Sequence, residues 1–396
     1  MHAQTIIQDF LDRKCRAIHA KRRHCLSLMA DAAQRDGLGL MRMSRSVRSD
    51  APLRYRLKRV DRMLSNKHLA QERIDIYRAL AHSVLQEQTH ICIIVDWSDL
   101  LNDCSEHLLR AAVVVQGRAI VIYDEVHPTE SYTKLTVHRR FMATLRSVLP
   151  AHCKPIIITD AGFRATWFNM LNALGFAWIG RIRNRDMVRA ADGDQWQGCK
   201  QLYADTRGQA RDLGRFEYAR SNPVPCRLVM IKKTSKQRRH KTAAGEQVRS
   251  SQSKKHSKAQ SEPWLLAVSP SLAALGAAKI VAIYAGRMQI EQTFRDLKNG
   301  QWGMGLRHSQ TRQRARIANL LLIGALVGLA LWIIGLHARA IGYRVAYGSK
   351  AKAVATVSIL TLARQWLTEM QPQTLRRRQL NDAFAELASS LMTYEI

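Results

Sequence analysis

The most regular hydrophobic pattern along the chain is a series of short, nearly continuous apolar runs between residues 89 and 175. HICIIVDWSDL opens this region, LRAAVVVQGRAIVIYDEV holds two runs around a Gln-Gly-Arg turn, and KPIIITDAGF adds another. Apolar runs of this length predict strands, and the two around the turn predict a hairpin. Residues 131–148 show helical spacing, and a second helix is predicted after KPIIITDAGF, ending at Gly175. The fold class is therefore α/β, with a sheet covered on both faces.

The flanking regions follow other patterns. The N-terminal region has helical spacing and many basic side chains, with a break near Ser65-Asn66, and is predicted to be a helical DNA-binding domain. A solvated helical bundle is the alternative interpretation of this stretch. After the core, short strand-like runs surround a basic, non-periodic stretch at 232–260, which predicts a β-rich insertion with a mobile basic loop. The core then resumes, and the chain ends in a helical region. The predicted boundaries are 1–88, 89–175, 176–277, 278–345 and 346–396.

One stretch is apolar throughout. IANLLLIGALVGLALWIIGL, residues 317–336, contains Asn319 as its one strongly polar residue. Its length would suffice to span a membrane, but a helix buried in a soluble protein has the same hydropathy. Because it is a single segment in a highly charged chain, we expect a buried helix and no membrane association.

A mixed polar edge borders the apolar stripe of YAGRMQIEQTFRDLK, residues 284–298. At about 100° per helical residue, Tyr284, Arg287, Glu291 and Lys298 fall within an arc of about 60°. The pattern predicts one amphipathic helix with a functional edge. A solvated surface with ordinary pairing between residues four apart is the alternative interpretation.

The net charge of the chain indicates what kind of partner it binds. The chain of 396 residues carries 62 Lys and Arg against 31 Asp and Glu, a formal net charge of +31. Such an excess indicates a polyanionic partner, above all nucleic acid, because phosphate neutralisation releases condensed counterions. Seven cysteines show neither a C-x-x-C pair nor zinc-ligand spacing, and are interpreted as reduced thiols of a cytosolic protein.

Two aspartates, Asp96 and Asp160, are placed by the pattern at the ends of buried strands. Strand ends of an α/β sheet open onto a ligand crevice, where two neighbouring carboxylates could share a hard divalent cation such as Mg²⁺ or Mn²⁺. An aspartate at a strand end is also a common turn former. Four other acids compete by spacing alone: Asp99, Asp103, Asp124 and Glu125.

Glu291 on the mixed edge is expected to complete this cation site, while Arg287 and Lys298 hold neighbouring phosphates and Tyr284 bonds another phosphate or stacks on a sugar. Three carboxylates with two ions about 3.5–4 Å apart would activate water or a 3′-hydroxyl for in-line attack on a phosphodiester. No protein nucleophile is needed. This reasoning leaves nuclease, integrase and resolvase activities undistinguished.

The spacing Y-x2-R-x3-E-x6-K at 284–298, with Asp96 in VDWSD and Asp160 in TDAGF, resembles the DDE transposases of the bacterial insertion sequence 4 family, closest to the insertion sequence 10 group. EPW and GLRHS extend the similarity. The resemblance implies a ribonuclease-H-like catalytic core interrupted by a β-rich insertion.

The resemblance also implies roles for individual residues. Asp96, Asp160 and Glu291 would be the catalytic triad that binds two Mg²⁺ (or Mn²⁺) ions. Trp264 would capture a base displaced when a DNA hairpin forms, although a core tryptophan on a strand is an equal reading of the sequence. The DNA-binding residues it implies are Tyr284, Arg287, Lys298, Trp264, Arg307 and His308.

A cut-and-paste transposase is the function that this resemblance predicts. It would act as a homodimer on double-stranded DNA, pairing the terminal inverted repeats of its element and inserting them into target DNA in the bacterial cytoplasm, associated with the nucleoid. The alternatives are a structure-selective nuclease with the same fold, which cleaves without joining, and a catalytically silent DNA-binding regulator.

Overall fold

The computed structural model describes residues 3–115, 117–183, 186–233, 262–301, 303–343, 357–369 and 375–395. Within them the chain forms two compact units. The first unit comprises Met1–Lys154 and Met288–Tyr394, and the second comprises Pro155–Arg287 with Glu395–Ile396. The basic loop predicted at 232–260 lies outside the described residues except for its first two positions, and the five sequence-based domain boundaries remain a prediction.

Five helices open the first unit, as the helical spacing predicts. They are α1 Ala3–Lys14, α2 Ala20–Asp36, α3 Leu40–Ser46, α4 Leu53–Leu64 and α5 Lys67–Leu85. The predicted break falls between α4 and α5, where Asn66 Oδ1 accepts a hydrogen bond from the backbone N–H of Leu69 at 3.1 Å. This side-chain cap satisfies one of the amides that a helix start leaves without a partner.

Three antiparallel strands form the sheet of the first unit. They are β1 Cys92–Asp99, β2 Glu106–Val114 and β3 Ala119–Pro128, followed by α6 Leu135–Val148. The predicted hairpin is confirmed, and its turn includes Gly117 at φ 82°, a left-handed conformation that suits glycine. Asp96 does not end its strand as expected, because β1 continues to pair with β2 as far as Asp99.

The remaining helices of this unit are α9 Met288–Lys298, α10 Arg314–Ala340, α11 Ile359–Glu369 and α12 Arg377–Ser389. By length and composition α10 could cross a membrane, but 89% of its most apolar 18-residue stretch is buried inside the protein. Within residues 317–336 the one strongly polar side chain, Asn319, is satisfied: Nδ2 donates to Leu64 O at 2.8 Å, and Oδ1 accepts from Arg73 Nη1 at 3.1 Å. The expectation of a buried helix is confirmed.

The second unit is built on a sheet ordered β4-β5-β10-β9-β8-β6-β7. The elements are β4 Ile156–Thr159, α7 Ala165–Ala173, β5 Ala177–Ile182, β6 Met187–Ala190, β7 Gln197–Gly198, β8 Arg211–Tyr218, β9 Val224–Ile231, β10 Trp264–Val268 and α8 Ala277–Ala285. β4 and β5 are parallel and joined through α7, whereas the other pairings in this sheet are antiparallel. The mixed α/β class is thus confirmed.

The single helix predicted over residues 284–298 is wrong. The chain forms α8 up to Ala285 and α9 from Met288, and the turn between them tightens. Gly286 N bonds Ile283 O at 3.1 Å and Arg287 N bonds Tyr284 O at 3.0 Å, both one residue shorter than α-helical bonds. Tyr284 and Arg287 therefore lie before the helix that carries Glu291 and Lys298.

A buried ion pair joins the hairpin to α9. Arg110 Nε and Nη2 donate to the two carboxylate oxygens of Asp124 at 2.8 and 2.7 Å, and Nη1 donates to Thr293 Oγ1 at 3.2 Å. Arg110 and Asp124 are 3% and 6% exposed. Fully desolvated charges tolerate this burial because each is neutralised and hydrogen-bonded.

Replacing Asp124 with Asn should therefore destabilise the protein strongly. The substitution leaves the Arg110 guanidinium buried without a counter-charge, and we expect a loss of about 3–5 kcal/mol in the free energy of unfolding. Urea denaturation measures it. The matched control is Asp75→Asn at the exposed Arg78 pair, where a loss of at most about 1 kcal/mol is expected; equal losses at both sites would contradict a structural role for the buried pair.

Candidate functional site

Asp96 begins a row of charged residues that crosses the sheet of the first unit. It lies directly opposite Arg110 on β2, and Arg110 lies opposite Asp124 on β3. Opposed residues of antiparallel strands point to the same face, so the row runs acid, base, acid. Asp96 is half-buried, and its Oδ1 accepts the backbone N–H of Trp97 at 2.8 Å. Arg110, engaged by Asp124, fixes β2 against β3, and Asp96 stands next in this row on β1.

One side of helix α9 contacts the hairpin, and Glu291 lies on a different side of the same helix. Gln289 Oε1 accepts Val115 N at 3.1 Å, and Asp296 pairs with Arg118 at 3.1 Å. Its apolar stripe, Ile290, Phe294 and Leu297, is buried as predicted. Glu291 lies well away from the hairpin-bonding positions around the helix axis and is exposed. The carboxylate is thus carried by a rigid, tightly attached helix.

Lys298, at the end of α9, reaches back to the strand of Asp96. Its Nζ donates to Ser98 Oγ at 2.6 Å, and Ser98 shares a sheet face with Asp96 because alternate strand residues do. The Phe294 ring lies near two cations, 5.7 Å from Lys298 Nζ and 5.4 Å from the Arg110 guanidinium. Burial, reinforced by the positive charge of Arg307, lowers the pKa of Lys298 to about 8.

Arg307 and His308 lie on a short 3₁₀ turn, Leu306–Ser309, and both are exposed. The chain folds back from α9 to reach this turn, since Met304 N bonds Asp296 O at 2.7 Å. An added Cβ at Gly300 would lie 2.2 Å from the His308 ring, so the ring packs directly against this glycine. The structure therefore brings Arg307 to the end of α9 that carries Lys298.

In the second unit Asp160 directly follows β4, as predicted. The carboxylate is half-buried, and its Oδ1 accepts the backbone N–H of Gly162 at 2.8 Å. This turn of the backbone orients the side chain at the end of the strand. Asp160 thus has the strand-end position that the sequence predicts.

A cluster of polar and aromatic side chains surrounds Tyr284 in the same unit. Burial raises the pKa of Tyr284 to about 12; the positive charges of Arg287 and Arg181 oppose that shift, and the negative charge of Asp160 adds to it. The Trp264 ring makes an edge contact with Tyr284, with centres 5.0 Å apart, and Lys233 Nζ lies 3.8 Å from the centre of the Trp264 ring. The half-buried Trp264 is therefore part of a cationic cluster rather than of an apolar core.

Arg181 and Lys233 were not anticipated as members of this cluster. Arg181 occupies an alternate position of β5, opposite Leu266 of β10, and its Nη2 donates to Pro263 O at 3.3 Å. The signal in the sequence was a basic residue inside an otherwise apolar strand. Lys233 lies at the start of the basic stretch 232–260, where nothing in the sequence distinguishes it from the neighbouring cations.

The four competing acids already have partners. Asp124 is neutralised by Arg110, and Glu125 accepts hydrogen bonds from Tyr123 and His127 at 2.6 and 2.8 Å. Asp99 pairs with His107 at 3.0 Å, and Asp103 accepts Ser105 Oγ at 2.8 Å.

Among the described residues, no group of three His, Cys, Asp or Glu side chains is close enough together to hold a metal ion. Asp96, Glu291, Lys298, Arg307 and His308 belong to the first unit. Asp160, Trp264, Tyr284 and Arg287 belong to the second. The roles assigned to these nine residues from the sequence remain predictions.

A sequence model described as the transposase DDE domain matches residues 87–327, more than half of the chain. The chain therefore belongs to the transposase DDE domain family, whose members are enzymes that act on DNA. Comparison with curated proteins finds no match.

The lowered pKa of Lys298 predicts a pH-dependent affinity for DNA. Contact with a phosphate requires the charged ammonium, so above about pH 8 the free protein must take up one proton to bind, and affinity should fall by up to about tenfold per pH unit. Fluorescence anisotropy with a labelled duplex from pH 7 to 9 measures this. The control is Lys298→Arg, which stays charged and should bind with no such fall; an unchanged pH profile in that variant would contradict the role of Lys298.

Proposed function

We propose that the protein is a cut-and-paste DNA transposase of the insertion sequence 4 family and insertion sequence 10 group. Asp96, Asp160 and Glu291 act as its catalytic carboxylates. It cleaves the terminal inverted repeats of its element, forms and reopens a DNA hairpin, and joins the freed ends to target DNA. The proposal includes a ribonuclease-H-like core, a homodimer on paired ends, and action in the bacterial cytoplasm at the nucleoid.

One observation carries this proposal. The region matched by the transposase DDE domain, residues 87–327, includes all nine residues that the sequence motifs select. Within it, Asp96 and Asp160 each hold one carboxylate oxygen on a backbone N–H, and Glu291 stands on a helix fixed by several polar contacts. Side chains anchored in this way need little reordering to act.

The donor set fits Mg²⁺ or Mn²⁺, because all three side chains offer only carboxylate oxygens, the ligands that hard divalent cations prefer. Two such ions, when bound, would polarise the scissile phosphate and lower the pKa of the attacking water or 3′-hydroxyl. Asp96, Asp160 and Glu291 would hold them.

The cationic side chains would bind and orient the DNA. Arg287, with Arg181 beside it, can hold one phosphate next to the Tyr284 hydroxyl, and Lys298 can hold another next to Arg307. His308 follows on the same exposed turn and would contact the backbone there. Trp264, half-buried beside Tyr284, would stack on a displaced base as the hairpin forms.

Neutralising any one catalytic carboxylate should strongly reduce the nicking rate and spare DNA binding. Asp96→Asn, Asp160→Asn and Glu291→Gln should each reduce Mg²⁺-dependent nicking of element ends by about 10²-fold or more, as expected when one electrostatic contact to the transition state is lost. Gel analysis of labelled ends gives the nicking rate, and anisotropy gives the affinity. The control is Asp103→Asn, at an exposed acid that should not matter.

The same assay distinguishes the alternative functions. Insertion into a supercoiled plasmid by the unmodified protein supports a transposase, whereas cleavage without joining indicates a nuclease. Unchanged nicking in all three variants, or DNA binding with no cleavage under any divalent cation, would contradict the proposal, the second result in favour of a regulator.

Replacing Trp264 should impair hairpin formation more than the first nick. Loss of one base stack costs about 1–3 kcal/mol, or roughly 5- to 150-fold in the hairpin step. Trp264→Phe is the control, because it keeps a stacking ring and the packing against Tyr284. Denaturing gels separate nicked and hairpin products; equal loss at both steps in Trp264→Ala would reject base capture.

A further inference from the structure

A cluster of polar and aromatic side chains lies behind Asp96, on the opposite face of the sheet of the first unit. Trp97 belongs to this face, because successive residues of a strand point to opposite sides. Helix α6 packs against the same sheet, and its buried side includes His138 beside the apolar Phe141 and Leu145. Buried polar groups are more informative than buried apolar ones, since they cost free energy unless they are paired. The members of this cluster are Trp97, Tyr123, Glu125, His127, Tyr132 and His138.

The indole of Trp97 is held by one hydrogen bond and three ring contacts. Its Nε1 donates to His138 Nε2 at 3.0 Å. The ring centres of His127, Tyr132 and His138 lie 5.6, 5.2 and 5.8 Å from that of Trp97. An aromatic side chain with a bonded polar tip and packed ring faces has a single orientation available to it.

His138 is suited to accept this hydrogen bond. It is 5% exposed, and burial, reinforced by the positive charge of His127, lowers the pKa of His138 to about 4. The ring is therefore neutral near pH 7, and because Nε2 accepts from the indole, the ring proton lies on Nδ1. His127 is itself fixed by Glu125 at 2.8 Å, and Glu125 also accepts from the Tyr123 hydroxyl at 2.6 Å.

One peptide group connects this cluster to the carboxylate of Asp96. The backbone N–H of Trp97 donates to Asp96 Oδ1 at 2.8 Å. Because the peptide between the two residues is planar, a shift of Trp97 would turn that N–H and the carboxylate that it holds. Anchoring the indole on one face of the sheet therefore orients the carboxylate on the other face.

Burial of an indole does not by itself require such an acceptor in this protein. Trp366, on α11, is 1% exposed, and its Nε1 has no hydrogen-bond partner among the described residues. Trp97 is only half-buried, yet a buried histidine lies at its N–H. The hydrogen bond is thus better explained by the need to fix Trp97 than by the need to bury it.

We propose that Trp97 and His138 are positioning residues that orient the Asp96 carboxylate for a divalent cation. They act through the peptide between Asp96 and Trp97, without contact with the reacting atoms. The inference rests on the proposed function for the role of Asp96.

The test is Trp97→Phe in the full-length protein, which keeps an aromatic ring and removes the indole N–H. Binding of Mn²⁺ is titrated by the electron paramagnetic resonance signal of the free ion, with Asp96→Asn as the background. The dissociation constant for Mn²⁺ should rise by about tenfold, the low end of what is expected when a group that orients a metal ligand is changed. The Mg²⁺ concentration for half-maximal nicking of an element-end duplex should rise by a similar factor, whereas the affinity for that duplex without divalent cations should not change.

Three controls separate positioning from packing. Trp366→Phe removes a buried indole N–H without a partner among the described residues and should leave Mn²⁺ binding unchanged. His138→Gln keeps an acceptor and should bind Mn²⁺ like the unmodified protein, whereas His138→Leu should match Trp97→Phe. Because both losses remove the same hydrogen bond, Trp97→Phe/His138→Leu should be no weaker than either single variant.

Unchanged Mn²⁺ affinity in Trp97→Phe, with affinity lost in Asp96→Asn, would overturn the inference and leave the proposed function intact. An equal loss in Trp366→Phe would also overturn it, because the effect would then be general destabilisation. Full Mn²⁺ affinity in Asp96→Asn would contradict the proposed role of Asp96, and the inference would fall with it.

Discussion

The structure of the first unit depends on satisfying one buried charge. Arg110 is removed from water at the centre of the hairpin, and a guanidinium in that position must have its donors paired. Asp124, on the neighbouring strand, accepts two of these hydrogen bonds, and Thr293, on α9, accepts a third. A single side chain thus fixes the spacing of two strands and one helix. Asp96 stands next in the same row, so the constraint that holds the core together also sets where Glu291 and Lys298 lie along the sheet that carries Asp96.

The large positive charge is distributed unevenly, and this distribution carries more information than the total. Many arginines form ion pairs within the protein, as Arg22, Arg118 and Arg316 do with acidic side chains. The cations at α4 have no such partner among the described residues. A folded protein bears the repulsion of such a cluster because the rest of the unit is held by burial.

Whether a feature of the structure could be predicted from the sequence depends on how few neighbouring residues determine it. The hairpin, the break between helices near Ser65-Asn66 and the strand-end position of Asp160 depend on a few neighbouring residues, and the sequence pattern was sufficient for each. The break at Gly286 was missed because helical periodicity continues through it, whereas the two short-range hydrogen bonds that end the helix there leave no mark on that periodicity. The cluster at Tyr284 required knowledge of pairing: β10 lies between β5 and β9, and only that non-local order brings Arg181 beside Trp264's strand. Residue spacing along the chain cannot reveal this strand order, because the order depends on pairing between distant segments.

The proposals assign affinity and chemistry to different side chains, and the physical requirements of the two explain why. Holding a polyanion needs exposed, uncompensated cations, whose strength comes from counterion release and which tolerate imprecise geometry. Holding divalent cations needs carboxylates that are oriented and partly shielded, as the backbone bonds to Asp96 and Asp160 provide. A site optimised for one is poor for the other, because an adjacent excess of cations would compete with the metal for the same carboxylates. Lys298 illustrates the conflict where a cation lies close to the strand of Asp96, because burial lowers its pKa to about 8 and so makes its charged form less favourable than in water.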